Sequence, residues 1–164
     1  MRITLVQGFV ALLAFAIWTQ QPARSQAPSA PPETKVVTSA ELAGIIAKQP
    51  AERNSSQTFI RLAPYNVNME HRTTGQTAAV HERDAELFYV LDGAGTIVTG
   101  GKLVDEKRIN NANLSGTSIQ GGVPRRISKG DFVMVPEGVP HQFPSVEGNL
   151  TLMSLHLPRA DSSK

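Results

Sequence analysis

Two histidines and one glutamate stand beside predicted turns in two separate parts of the chain. His81 ends one predicted strand, Glu86 begins the apolar run 87–91, and His141 follows a predicted turn at 136–138. Two imidazoles and one carboxylate are a recurring minimal set for a divalent first-row metal, and they leave coordination positions open. We therefore expect two strand–turn–strand units to pair and to bring His81, Glu86 and His141 to one metal site.

Glu86 and the absence of cysteine narrow the chemistry of this site. A carboxylate at the head of an apolar strand is costly to bury unless a cation meets it. The chain contains no cysteine, so any metal must be held by nitrogen and oxygen. The expected cofactor is a divalent transition metal, with iron, manganese, copper, nickel and zinc all open.

His71 is a candidate additional ligand. If residues 74–75 form a hairpin turn, the strand carrying His71 runs back beside Ala79. Directly opposed residues of paired strands share a face, yet a shift of one residue in register turns the side chain outward. The sequence does not decide between these two registers.

Two further side chains are candidate substrate contacts. His156 lies on the last predicted strand, where alternation gives it a face shared with the pocket or the core. A role as metal ligand is a weaker alternative for His156. Arg83 shares strand parity with His81, and its guanidinium would suit an anionic substrate. The competing interpretation of Arg83 is a surface ion pair with Glu82 or Asp84.

The spacing of these residues resembles the two signature motifs of the cupin family. The first motif is matched, with four and six residues between its members, by His81, Glu86 and Gly93. The second is matched, with five, one and two residues between its members, by Gly130, Pro136, Gly138 and His141. The resemblance covers about residues 77–157. Two positions depart from the family pattern: Ala79 replaces the first histidine and Ser145 replaces the closing asparagine.

The resemblance implies a fold and a broad function. The implied fold is all-β, a cupin-like double-sheet jelly-roll β-barrel, and cupins are often homodimers. The family's usual ligands are three histidines and one glutamate, of which this chain has His81, Glu86 and His141. The implied activity is that of a metal-dependent, dioxygenase-like enzyme acting on a small organic molecule. The alternative is a non-catalytic cupin module that binds a small ligand or a metal, which the Ala79 departure favours.

Short β-like runs alternate with glycine, proline and asparagine clusters through the body of the chain, as in sandwiches and barrels. The predicted strands are 58–63, 65–72, 77–81, 87–91, 96–99, 102–104, 118–121, 125–127, 131–135, 141–143 and 149–157. The aromatic and methionine side chains assigned to barrel packing are Phe88, Tyr89, Phe132, Met134 and Phe143. The polar segment 105–118 is predicted as a loop, either a lid over the barrel mouth or a surface excursion.

The ends of the chain lie outside the predicted barrel domain, residues 58–158. Residues 1–25 have a basic start, an apolar run and a small-residue cleavage site, which predicts a signal peptide and an exported, periplasmic or secreted protein. Residues 26–37 form a predicted flexible linker. A capping-box spacing at 38–41 predicts one short helix within 38–50, and residues 159–164 form a tail.

Charge excludes two classes of partner. Removal of residues 1–25 takes away two of the 16 basic residues and none of the 14 acidic ones, so the net charge falls from +2 to zero. Without a basic surface, neither nucleic acid nor an anionic membrane is an expected partner. We expect a small-molecule ligand and no stable membrane anchor after cleavage. A homodimer is one of the oligomeric states that the sequence leaves open.

Export gives the first testable prediction. The protein recovered from its native host should lack residues 1–25 and should be found outside the cytoplasm. Amino-terminal sequencing and fractionation check both points. A cytoplasmic protein that starts at Met1 would contradict the prediction.

Overall fold

The computed structural model describes residues 33–159. The predicted signal peptide, the predicted linker as far as residue 32 and the tail from residue 160 lie outside the described residues. No helix within residues 33–159 is long and apolar enough to cross a membrane.

One helix precedes the strands, as predicted. Helix α1 spans Ser39–Ala47, and its cap is Thr38, whose hydroxyl accepts a hydrogen bond from the Glu41 amide at 3.3 Å. The Glu41 carboxylate accepts a hydrogen bond from the Thr38 amide at 2.8 Å in return. This reciprocal arrangement satisfies two amides that the first turn would otherwise leave without partners.

Eleven strands make up the rest of the described chain. They are β1 Ser55–Leu62, β2 Tyr65–Arg72, β3 Ala78–His81, β4 Asp84–Thr99, β5 Lys102–Val104, β6 Lys107–Arg108, β7 Asn113–Gly116, β8 Ser118–Gln120, β9 Val123–Ser128, β10 Phe132–Val135 and β11 His141–Pro158.

The two long strands β4 and β11 pair antiparallel along almost their whole length. Residues 84–93 of β4 pair with 150–158 of β11, and residues 95–99 pair with 141–146. The register shifts between Val146 and Leu150, where the extra residues bend β11. Each long strand therefore contributes one half to each of two sheet regions.

The remaining strands extend these two regions. Strands β2 and then β1 continue the first region beyond β11, and β10 pairs with β4 on its other side. In the second region β3 and β7 follow β11, and β9 pairs with β4. Strands β5 and β8 form a separate two-stranded sheet.

The core is built from side chains of both regions. Its buried members come from β4, β9, β10 and β11: Phe88, Val90, Ile97, Ile127, Val135, Phe143, Leu150 and Leu152. Burial of apolar area at about 25 cal/mol per Å² is the main stabilising contribution to such a core. The double-sheet jelly-roll architecture predicted from the sequence is confirmed.

Strand parity on β10 corrects part of the predicted packing. Phe88 and Phe143 are buried as expected, but Phe132 and Met134 are 66% and 52% exposed. Because side chains alternate along a strand, the pairing of β10 with β4 turns Val133 and Val135 toward the core instead.

Predictions of strand bounds, of one loop and of one strand pairing also need correction. The runs 87–91 and 96–99 are parts of one strand, and so are 141–143 and 149–157. The polar segment 105–118 is no loop, because it contains β6 and β7, which pair as a hairpin. Strand β2 pairs with β1 and β11 rather than with β3, since a jelly roll places strands beside partners that are distant in sequence.

The bend between the sheet regions requires a glycine at position 93. Gly93 has a φ of +80°, and a Cβ added there would lie 1.8 Å from the Asn149 carbonyl oxygen. Gly148 has a similar φ of +75°, but a Cβ would meet nothing within 4 Å. A comparison of substitutions at Gly93 and Gly148 therefore separates the effect of backbone strain from that of steric overlap.

Replacement of these glycines by alanine should therefore have unequal effects. We expect Gly148→Ala to lower the free energy of unfolding by about 1 kcal/mol, through backbone strain alone. Gly93→Ala should cost about 3 kcal/mol or more, because strand β11 must also move. Urea unfolding of both variants measures the difference, and equal losses would show that the close approach at Gly93 is unimportant.

Candidate metal centre

Three histidine side chains converge on the Glu86 carboxylate. His81 Nε2 lies 3.3 Å and His141 Nε2 lies 3.1 Å from Glu86 Oε2. His156 Nε2 lies 3.3 Å from the other carboxylate oxygen, Oε1. Donor atoms of His81, Glu86 and His156 all lie within 4.8 Å of one another. We call these four residues the His–Glu cluster.

Strand pairing explains how the cluster forms. His156 of β11 is directly opposite Glu86 of β4, and directly opposed side chains share a face. His141 begins the same β11 strand and is opposite Ala79 of β3. The turn before β11 also reaches β3, because the Gly138 amide donates a hydrogen bond to the His81 carbonyl at 2.8 Å. The two predicted hairpins are thus joined through the backbone beside their histidines.

The second ring nitrogen of each histidine faces an oxygen atom. His81 Nδ1 lies 2.7 Å from Asn113 Oδ1, and His141 Nδ1 lies 3.3 Å from the Val139 carbonyl. His156 Nδ1 lies 3.8 Å from Asp84 Oδ2, an ion-pair contact. In a neutral imidazole, an Nδ1–H donated outward leaves the Nε2 lone pair directed toward the cluster, which is how metal-binding histidines are commonly oriented. In the metal-free protein the contact with Glu86 instead requires a proton on Nε2, because a carboxylate only accepts hydrogen bonds.

Burial and hydrogen bonding shift two pKa values in opposite directions. Burial by itself raises the pKa of Glu86, but hydrogen bonds from His141, His156 and His81 outweigh it and hold the pKa well below its ordinary range. Burial by itself lowers the pKa of His81, yet hydrogen bonds to Glu86 and Asn113 raise the net value above normal. The carboxylate therefore stays ionised, and its negative charge favours the protonated form of the His81 imidazole.

His81, Glu86 and His156 have a spacing compatible with a divalent transition metal, since their donor atoms all lie within 4.8 Å of one another. His141 contacts the same carboxylate but is not a member of this group. Two ligand atoms that each lie 2.0–2.2 Å from one ion are about 2.9–3.5 Å apart at tetrahedral or octahedral angles. The three Nε2-to-carboxylate distances lie within this range. Three imidazoles and one carboxylate are suitable donors for zinc, copper, iron, manganese or nickel. The donor chemistry and the spacing agree with the cofactor predicted from the sequence.

A cavity of about 270 Å³ opens beside the cluster. Its walls are mostly polar, and apart from the four cluster residues they are formed by Ser56, Asn68, Glu70, Arg72, Gln76, Thr77, Ala79, Phe88, Gln142 and Phe143. The volume lies just below the 300–1,000 Å³ typical of pockets for drug-sized ligands. The cavity therefore suits a small and polar molecule.

The predicted site residues fall into two groups. His81, Glu86, His141 and His156 meet in the cluster, whereas His71 and Arg83 are not among the described residues that line the cavity. His71 Nδ1 lies 3.1 Å from Thr151 Oγ1 on the neighbouring strand. The expected pairing beside Ala79 does not occur, because β2 pairs with β11 there.

Arg83 is exposed in the bend between β3 and β4. Strand parity with His81 does not extend to it, since β3 ends at His81. The structure thus gives no support to Arg83 as a substrate contact.

Several residues at the site were not identified from the sequence. Asn113, which contacts His81, lies in the segment predicted as a loop. Asn68, Glu70 and Arg72 line the cavity from alternate positions of β2. Three polar residues at a spacing of two were the available signal, because such residues share one face of a strand.

Solved structures share this fold at low sequence identity. A protein with a double-stranded β-helix domain from Klebsiella pneumoniae aligns with a TM-score of 0.52 and 14% identity, over 77% of this chain and 91% of the other. A cupin-2 domain protein from Shewanella frigidimarina gives 0.50 and 15%, over 72% and 92%. The cupin domain of Cnp3 from Schizosaccharomyces pombe gives 0.50 and 10%, over 69% and 66%.

These likenesses confirm the predicted cupin fold, also called the double-stranded β-helix. No protein-family model matches the sequence, and no curated protein is significantly similar to it. The function therefore depends on the residues of the site itself.

The pKa shifts predict how the metal-free cluster titrates. In protein treated with EDTA, the His81 imidazole should titrate above its ordinary value of about 6.5, and Glu86→Gln should lower that midpoint because the carboxylate is lost. NMR of the imidazole protons measures both. Glu82→Gln is the control, since Glu82 pairs with Arg108 at the surface. A His81 midpoint that is the same in Glu86→Gln as in the unmodified protein would contradict the assigned contact.

The same shifts set the pH range in which the cluster stabilises the metal-free fold. The raised pKa of His81 contributes stability below its unfolded value, and this is lost as pH rises through the folded value. The lowered pKa of Glu86 contributes stability above about 4.5, and this is lost as pH falls toward the folded value. The contribution should be greatest between about pH 4.5 and 6.5.

Proposed function

We propose that the protein is an exported metal-dependent enzyme that acts oxidatively on a small organic molecule, in the manner of a dioxygenase. The observation that carries the proposal is the convergence of three histidine Nε2 atoms on one buried carboxylate beside a polar cavity. The cupin fold and this cluster together suggest a metal-binding domain. Oxidation, export and the kind of substrate are parts of the proposal.

Each side chain of the cluster has a definite task in this proposal. His81, Glu86, His141 and His156 would hold the ion, and a bound transition metal would supply Lewis acidity and redox chemistry. Asn113 orients the His81 ring through its contact with Nδ1. Phe88, whose ring centroid lies 5.9 Å from that of His141, excludes water from the inner side.

The non-catalytic alternative rests on Ala79. Ala79 lines the cavity opposite His141 and offers no donor, as expected if the site had lost its chemistry. His156 weakens this alternative, because it brings a third imidazole to Glu86 from another strand. A site of three imidazoles and one carboxylate is complete enough to support catalysis as well as binding.

Measurement of metal binding in variants of the four histidines tests the site. In protein purified without a polyhistidine tag, His81→Ala, His141→Ala and His156→Ala should each lower metal affinity at least about 10-fold, because each removes one donor. His71→Asn is the matched control, since His71 does not line the cavity and an amide retains polar contact with Thr151. Elemental analysis and competition with a chelator measure the effect.

Two results would contradict the ligand assignment. One is unchanged metal content in folded variants of all three cluster histidines. The other is a loss in His71→Asn as large as in these variants. Oxygen uptake by the metal-loaded protein over small phenols, diketones, thiols, sugars and organic acids then separates an enzyme from a binding module.

A further inference from the structure

Arg72 places a buried positive charge in the wall of the same cavity. It is 5% exposed, and its guanidinium carbon lies 4.1 Å from the centre of the Phe143 ring. The Phe143 ring contacts Phe88, which in turn contacts His141 of the His–Glu cluster. A series of ring contacts, edge-to-face between Phe143 and Phe88 and tilted between Phe88 and His141, therefore connects the guanidinium with the cluster along one side of the cavity.

The hydrogen bonds of Arg72 are incomplete. Its terminal nitrogens donate to the Glu70 carboxylate and to the Gln76 side chain. Its Nε is buried and has no hydrogen-bond partner in the described chain. An unsatisfied buried donor of a charged group is costly, and a guanidinium presents its donors in a planar fork that matches a carboxylate. The Nε is closed off from the cavity, but each terminal nitrogen carries a second N–H group, and the guanidinium lines the cavity.

The charges of the loaded cavity favour one class of ligand. Once a divalent cation is held by neutral imidazoles, the cation and Arg72 outweigh Glu86 and Glu70 by a single positive charge. One negative charge on the ligand balances the cavity. A second one would be repelled by Glu70, which remains beside Arg72.

We infer that the cavity binds a small organic monocarboxylate that carries a second oxygen donor, such as a 2-hydroxy acid. The carboxylate accepts hydrogen bonds from the terminal nitrogens of the Arg72 guanidinium, and the rest of the molecule faces the His–Glu cluster. The volume of about 270 Å³ limits the ligand to a compact molecule. Asn68, Gln76 and Gln142 provide further hydrogen-bonding groups for its hydroxyl oxygens. This inference rests on the proposed function and names its substrate class.

Isothermal titration of the metal-loaded protein with lactate and lactamide tests the inference. The two probes differ only in replacing the carboxylate by a neutral amide, so their affinity ratio reports the interaction with charge. Lactate should bind at least 10-fold more tightly than lactamide. Inorganic phosphate, which carries more negative charge, should bind more weakly than lactate.

Two substitutions should move this ratio in opposite directions. Arg72→Gln removes the guanidinium and should abolish the preference for lactate while metal content stays unchanged. Glu70→Gln removes the competing carboxylate and should increase lactate affinity several-fold without changing lactamide affinity. Arg126→Gln is the control, because Arg126 is exposed and pairs with Glu147 at the surface. If Arg72→Gln does not fold, Glu70→Gln decides the question.

Equal binding of the two probes, or no response to Glu70→Gln, would overturn the inference. Its failure is distinguishable from that of the proposed function. Loss of metal binding would be seen by elemental analysis alone, whereas the substrate class is tested by the ratio of lactate to lactamide affinity in protein whose metal content has been verified. A metal-loaded protein without any preference for lactate would leave the metal site intact and remove only the assigned substrate class.

Discussion

Glu86 carries a buried carboxylate, whose negative charge is stable only when hydrogen-bond donors or cations contact it. It is 5% exposed and is the third residue of the long strand β4, whose next inward residues, Phe88 and Val90, belong to the core. The cost of removing an ion from water is several kcal/mol, and three imidazoles around the carboxylate offset it. The histidines are correspondingly constrained, because each must keep one ring nitrogen toward Glu86. A stability requirement and a binding site thus share the same atoms.

The pairing of β4 with β11 makes this arrangement possible. One long antiparallel ladder places His156 directly across from Glu86. The beginning of the same β11 strand returns His141 to the cluster from the other sheet region, after the register shift at residues 146–150. A shift by one residue anywhere along this ladder would turn Glu86 or its partners to the opposite face. The bend at Gly93 and the bulge in β11 therefore have as much influence on the site as the donor side chains.

The sequence predicted the fold and part of the convergence, but not the whole site. Turn residues and alternating runs indicated the barrel, and motif spacing indicated His81, Glu86 and His141, which the structure brings together. His156 was predicted first as a substrate contact and only second as a metal ligand, because register between distant strands is set by the whole sheet and local sequence does not show it. Asn113 and Arg72 were missed for related reasons. Asn113 lies in a polar segment whose strands pair with each other and with β3, which the local sequence does not indicate. Arg72 lies in a strand that was predicted correctly, but the sequence did not show which of its side chains face the cavity.

The hairpin of β6 and β7 connects surface variation with the chemistry of the site. Asn113 begins β7 and contacts His81 Nδ1, while its strand pairs with β3 along Ala78–His81. The hairpin turn and strand β6 lie at the outer edge of this sheet region, where substitutions cost little stability. Changes there that displace Asn113 by a fraction of an ångström would alter the basicity of an interior imidazole. Evolution could in this way adjust reactivity from the periphery while the barrel interior stays constant.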